Sequence, residues 1–338
     1  MRLLSHLNSQ DWQQLIPFTS DEAPFQFLPE YTNFFRDYHN EPLHIVYSTE
    51  FDCYMPIRLF SLRMFKLGQI LHAPVYAKDY SELPPGSQLA FFNQFTRFLR
   101  ENNLCDRLIQ PHPYGILGAV PPHSRSCEFG TYVIDLANKT EDEIFGNFDK
   151  KYQKAIVHSQ KNGAQIKYGK QVLDDFYYTY LVTMKRVNIP ADFKIFFHKL
   201  YDNLGENHLT PAVVYDNNEP IGAVFFIHTK YAAYCTHAGS QGESKLYGAM
   251  KLLHFEMMKM LKNSGVKRYD LVGVRLNNTN PALDGIFRFK KGFGGDLKSG
   301  YLWKTDLHPF KTKLYDMLSR LKFGNKNFSK DIIDQVNG

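Results

Sequence analysis

The chain has 338 residues, 43% apolar and 22% charged, a balance that excludes a disordered or fibrous protein and leaves room for two cores. Net charge is +6 with an isoelectric point near 8.9, which suits an anionic partner but is too small an excess to demand nucleic acid. No apolar run approaches the ~18 residues of a membrane span, and the opening MRLLSHLNSQDWQQ lacks a signal-peptide core, so a cytoplasmic location is expected.

LHIVYS (43–48) and CYMPIRLF (53–60) read as paired strands, and 88–102 reads as an amphipathic helix. Proline-rich loops, HAPVYAKDYSELPPG before that helix and QPHPYGILGAVPPHS after it, are candidate rims of a cleft. TYVIDL (131–136) is a strand. A helix capped by Thr140 is expected to start at Glu141 and run through the basic stretch KKYQKAIVHSQKNG to Gly163.

The second half repeats one plan: strand AQIKYG, helices over 173–187 and 192–204, a hairpin, helix Ala249–Asn263 and strand KRYDLVG. In the hairpin, Asp216, Asn217 and Asn218 tolerate left-handed turn geometry between β-branched and aromatic flanks. The pattern predicts an α+β fold, two domains over 1–145 and 146–338, each a mostly antiparallel sheet covered by helices.

The four cysteines lie far apart with no CxxC and read as reduced, buried thiols. The 13 histidines form no HExxH pattern, so no metal is expected. Nucleophile-elbow, Walker and dinucleotide fingerprints are missing, which removes the commonest hydrolase, NTPase and dehydrogenase readings. The 28 Phe and 21 Tyr fill large cores or line grooves for extended ligands, and composition alone does not choose.

The order KKYQKAIVHSQKNGAQI, TMKRVNIP, VVYDNNEPIGAVFFI, AGSQGESKLYGAMKLLHFEM, YDLVGV and FRFKKGFGGDL resembles the FemABX family over about residues 130–305. The resemblance is weaker in the first 130 residues, where YMPIRLF and PFQFLPEYTNFFRDY carry it. It implies two GNAT-like domains. With no sustained heptad run, it implies the form without a coiled-coil arm. It also implies transfer of an aminoacyl group from aminoacyl-tRNA, or of an acyl group, to an amine of a cell-envelope precursor of peptidoglycan or polysaccharide, or else acyl-CoA-dependent N-acylation of an amino sugar in exopolysaccharide biosynthesis. That acceptor would be nucleotide- or lipid-linked, with a peripheral contact to the inner membrane face. A catalytically inactive binding relative is the third reading.

The resemblance assigns residues as follows. Lys290, after Phe289 in the FKKGFGG block, would stabilise charge developing on the transferred carbonyl, with Lys291 beside it and the glycines letting backbone approach a ligand. A helix ending in lysine and capped by glycine gives the same block. Apart from the resemblance, an amine attacking an activated ester needs little beyond positioning. If a base takes part, Asp284 beside FRFKK, or Asp270 in YDLVGV, would accept the ammonium proton, and the alternative is that each only pairs with a nearby lysine or arginine. Arg36 would hold a diphosphate, and Lys185 and Arg186 would present cations to the acceptor. Residues 239–248 would either offer backbone N–H groups to acyl-CoA or, with Tyr247, line an acceptor channel. From the basic run itself, Lys150, Lys151, Lys154 and Lys161 would track a tRNA acceptor stem or another polyanion, or form a solvated face.

Overall fold

The computed structural model describes residues 1–4, 20–242, 246–276, 281–323 and 331–337. The apolar runs of the first half form β1 (Arg2–Leu4), β2 (Leu43–Ser48), β3 (Cys53–Leu62), β4 (Phe65–Ile70), β5 (Val75–Tyr76), β6 (Arg107–Ile109) and β7 (Arg125–Asp135). The rest supplies β8 (Gln165–Tyr168), β9 (Leu209–Asp216), β10 (Glu219–His228), β11 (Ala233–Ser240), β12 (Arg268–Asp270), β13 (Val274–Arg275) and β14 (Asp296–Asp306). The α-helices are α1 (Pro29–Phe34), α2 (Pro85–Glu101), α3 (Glu141–Gly146), α4 (Lys150–Lys161) and α5 (Leu173–Arg186). They continue as α6 (Lys194–His208), α7 (Ala249–Asn263), α8 (Pro281–Lys291), α9 (Pro309–Phe323) and α10 (Ile332–Asn337).

The strands join in one mostly antiparallel sheet, in the order β1-β2-β3-β4-β6-β14-β7-β12-β11-β10-β9-β8, with β5 on β3 and β13 on β7. This is the expected mixed α/β architecture. Two parallel pairs break the antiparallel rule at equivalent places. A meander β2-β3-β4 leads through α2 to β6 beside β4, and a meander β9-β10-β11 leads through α7 to β12 beside β11. A parallel neighbour needs a crossover, and in both cases a helix supplies it.

Three large cores hold the sheet. One joins the halves: Phe25, Tyr31 and Phe34 share a buried cluster with Phe176, Phe197 and Phe225 under α5 and α6. Phe34 meets Phe196 at 5.4 Å and Phe25 meets Tyr234 at 5.2 Å, both edge-on. The opposite face of the second half packs on α4, α7 and α8 through Tyr152, Leu253, Met257 and Phe293. The third core surrounds Phe92, Leu108 and Trp303. All four cysteines are buried free thiols, as expected.

Several elements depart from the sequence expectation. The single helix expected over 141–163 is two, α3 and α4. Phe148 turns into the core against Phe255 and Phe293 at 5.6 and 5.3 Å, and the Asp149 N–H donates to the Gly292 carbonyl at 2.9 Å. The Thr140–Glu143 capping box starts α3 as read. Strand β7 begins six residues before TYVIDL. The strand read as KRYDLVG stops at Asp270, because Val272 and Gly273 turn left-handed with φ of +47° and +61°. The hairpin turn at Asn217 and Asn218 has the left-handed geometry expected of it, with φ of +48° and +68°.

Candidate active site

Strand β11 runs to Ser240 but hydrogen-bonds to β12 only at Ala233 and Tyr234. β12 and β13 both pair with β7, but past Asp270 the chain no longer bonds to β11, so the sheet splays open between β11 and the 271–275 segment. Lys290, on the last turn of α8, reaches this splay. Its ammonium donates to the Val272 carbonyl and, at 2.6 Å, to that of Gly273. A left-handed valine is strained by about 1–2 kcal/mol, and the lysine engages the carbonyls of that turn. Burial lowers the Lys290 pKa to about 8, with Cys235 and Asp270 pulling the other way.

Asp270 is the last residue of β12. Thr131 Oγ1 donates to its Oδ1 at 2.6 Å, and the Val272 N–H donates to the same oxygen at 2.7 Å. Burial raises its carboxyl pKa against these two bonds and the positive charges of Lys298 and Lys290. One short segment thus carries a buried carboxylate at residue 270 and a lysine-bound turn at 272–273.

Asp270 also lines a cleft of about 660 Å³ that runs along β7, β12 and β14 to the first half's 72–82 loop. Its walls include His72, Glu82, Tyr114, Tyr234, Arg268 and Lys298. Lys298 and Glu82 form an ion pair across the two halves. Burial alone would raise Glu82, but Lys298 and His72 hold its pKa below the usual value. Arg268 lies 4.6 Å over the Tyr231 ring. Tyr114, in the cleft wall, stacks on His112 at 4.8 Å and 2°.

His112 opens onto a second group of ionisable residues between the halves. Burial pushes its pKa down to about 4, helped by the charges of Arg58 and His237 and opposed by Asp192. Asp192 meets His237 at 3.4 Å and accepts from the Tyr180 hydroxyl at 3.1 Å. The His237 bond is the largest cause holding the Asp192 carboxyl below its ordinary pKa. Arg58 pairs with Glu41 at 2.6 Å and lies 4.3 Å over Phe60. No local pattern marks these residues, which come from segments far apart in the chain.

The structure places the remaining candidates more peripherally. Phe289 packs in the second-half core against His254 and Phe293 at 5.6 and 5.3 Å, and Lys291 is exposed. Asp284 is exposed and pairs with Arg288 one turn on, at 3.0 Å. Arg36 is exposed and pairs with its neighbour Asp37, also at 3.0 Å. Lys185 is exposed, while Arg186 donates to Ser240 Oγ at 3.3 Å at the end of β11. Tyr247 is exposed at the start of α7, with Lys251 5.3 Å over its ring. Of the loop 239–248, Glu243, Ser244 and Lys245 lie outside the described residues.

The glycines of FKKGFGG do not open a path to a ligand, correcting that expectation. A Cβ on Gly292 would lie 2.4 Å from the Tyr152 ring, and one on Gly294, at φ +65°, 2.0 Å from the Asn147 carbonyl oxygen. They let the end of α8 seat against α4 and the break before it, and this seating aims Lys290.

A meander, a helix and a parallel strand, repeated in one sheet with a splay beside the second parallel pair, define a tandem GNAT-like fold. The chain covers 93% of itself and 99% of the crystal structure of FemX at 12% identity, with a TM-score of 0.66. It also aligns with the C-terminal domain of a putative lysylphosphatidylglycerol synthetase from Agrobacterium fabrum, at 12% identity, 94% and 99% coverage and TM-score 0.53. A tandem GNAT protein from the clavulanic acid biosynthesis pathway aligns at 8% identity, 90% and 98% coverage and TM-score 0.51. These likenesses establish the fold. No curated protein matches the sequence. The FemAB family model matches residues 126–215 and 210–302, just over half of the chain. The chain belongs to the FemAB family, and with this fold it is a Fem-type transferase.

Proposed function

We propose that the protein transfers an aminoacyl or acyl group to an amine of a nucleotide- or lipid-linked envelope precursor, with the acceptor in the 660 Å³ cleft and the donor carbonyl at the splay. The observation that carries this reading is the adjacency of Asp270, which faces the cleft, to the turn that Lys290 holds. The acceptor amine attacks the donor carbonyl carbon, and the Lys290 ammonium stabilises the oxyanion that forms. The amine's proton passes to the Asp270 carboxylate, whose raised pKa suits that task, and then to the departing oxygen or sulfur. Orientation of the two substrates supplies much of the remaining acceleration.

The donor is a phosphate-bearing carrier in either reading. Lys151 and Lys251 support this: Lys251 lies 4.8 Å over the Tyr152 ring, and burial followed by the charge of Lys151 lowers its pKa. Lys150 and Lys154, exposed on the same helix as Lys151, add further positive charge to α4. Thermal-shift titration of the wild type with total charged tRNA and, separately, with acetyl-CoA distinguishes the donors. A rise with charged tRNA alone identifies the aminoacyl transferase, and a rise with acetyl-CoA alone identifies an N-acyltransferase of amino sugars. No shift with either carrier removes the transfer reading in favour of a binding protein.

A further inference from the structure

The cleft wall carries three lysine or arginine side chains, and two of them already have acids. Lys298 pairs with Glu82, and Lys267 pairs with Glu22 at 2.5 Å. Arg268 differs. Among the described residues no carboxylate lies within ion-pair reach of its guanidinium, which sits over the ring of the buried Tyr231. Its charge reaches Glu82 more weakly than that of Lys298 does.

The register of the sheet offers Arg268 a partner that it does not take. On β7, Asp135 stands directly opposite Arg268, where an acid and an arginine ordinarily close a cross-strand pair. The Asp135 carboxylate instead serves the turn that follows its strand. It accepts from the N–H groups of Ala137 and Asn138 at 3.0 and 3.1 Å and from the Asn138 amide at 2.8 Å. Arg268 is left with a ring beneath it and no acid.

An exposed arginine is ordinarily just a solvated surface charge. Two features set this one apart. It lines the cleft, and its strand fixes its distance from the proposed base: residues two apart on a strand share a face, so Arg268 and Asp270 enter the same cleft about 7 Å apart along β12. A guanidinium held over an aromatic ring keeps its charge, and its planar set of N–H donors fits the paired oxygens of a carboxylate or phosphate.

We infer that Arg268 reads an oxyanion on the same unit of the acceptor that carries the reactive amine. The acceptor is then an amine with a carboxylate or phosphate about 7 Å away, Asp270 meeting the amine and Arg268 the anion. A unit whose only negative charge lies in a distant nucleotide or lipid linkage lacks the group that Arg268 selects. The inference rests on the proposed seat of the acceptor in this cleft and narrows what that acceptor is.

The test is calorimetric titration of the full chain, without any donor, with three probes. 6-Aminohexanoic acid and 4-aminobutyl phosphate separate an amine from a carboxylate and from a phosphate by the same number of bonds, and pentylamine has no anion. The wild type should bind at least one anionic probe ~10-fold or more tighter than pentylamine, and the tighter of the two identifies the oxyanion. Arg268→Gln should abolish the preference at an unchanged melting temperature, and Arg268→Lys should restore part of it, as a point charge without the planar fork. Lys267→Gln, which removes the neighbouring cation, should keep it. A wild type that binds no probe, or binds pentylamine as well as the others, overturns the inference. So does a preference that survives Arg268→Gln, or one lost equally in Lys267→Gln. Because no donor is present, these outcomes are separate from the carrier titrations that test transfer: a failed preference beside a shift with charged tRNA or acetyl-CoA removes the role of Arg268 alone.

Discussion

The two parallel-strand junctions share a topology and differ in what fills them. In the first half, β4 and β6 pair over three residues, and a Cβ on Gly68 would already sit 2.9 Å from Leu108 and 3.0 Å from the Cys105 sulfur. Phe92, Leu117 and Trp303 complete an apolar plug. In the second half, β11 and β12 pair over two residues before separating, and the gap receives an ammonium and adjoins a buried carboxylate. The same repeat therefore serves once as an apolar packing joint and once as a joint that holds ionisable groups, where the proposed transfer would take place. Burying an ionisable group costs several kcal/mol unless it is paired, so a junction holding Lys290 and Asp270 is stable only because carbonyls, Thr131 and Lys298 answer them.

This contrast is open to attack from both sides. The largest effect is expected from Lys290→Ala, which should lower the rate of transfer by ~100-fold or more, about 3 kcal/mol of transition-state stabilisation, with circular dichroism unchanged. A variant that keeps its rate would remove the chemistry from the second junction. Leu108→Ala should do the reverse, costing about 2–5 kcal/mol of stability by denaturant unfolding while leaving the rate per folded molecule alone. Asp270→Asn should slow transfer by ~10- to 100-fold and flatten the acid side of the rate profile, where the wild-type carboxylate is lost by protonation.

The basic side of that profile reports on Lys290. Its folded pKa near 8 lies below the ordinary lysine value, so the ammonium is present at pH 7 and is lost as pH rises through about 8. Transfer should fall above that point, and an unchanged rate to pH 10 would argue that the neutral amine suffices. The smallest effects belong to Arg36→Ala and Lys185→Ala, expected within about 0.5 kcal/mol of wild-type stability because both side chains are exposed. If either abolishes transfer, the acceptor reaches well outside the cleft.

Much of the fold was legible because its signals are local. The meander of the second half follows from β-branched runs around Asn217 and Asn218, and α7 begins and ends where its periodicity does. FKKGFGG and YDLVGV single out Lys290 and Asp270 in the sequence, and the structure sets both beside the 270–273 turn. Strand β14 was missed because its sequence, DLKSGYLWKTD, alternates poorly and is stabilised by partners more than 150 residues away. For the same reason Arg58, His112, Asp192 and His237 escaped notice: each is an ordinary residue until the tertiary fold gathers them. The glycines of FKKGFGG were visible but misread, since a sequence does not reveal whether a close approach is made by a ligand or by Tyr152.

Strand β14 also sets a schedule. Its residues 296–304 bond to β7, and Thr305 and Asp306 bond to β6, so one segment closes the sheet on both sides. During synthesis, neither β6 nor β7 can complete its hydrogen bonds until residue 306 has left the ribosome, nearly two hundred residues after Arg107. The nascent first half must wait with an unfilled edge, and unpaired edges invite pairing with other chains. Chaperone demand should therefore fall sharply at the length that releases β14, not when the first half has emerged.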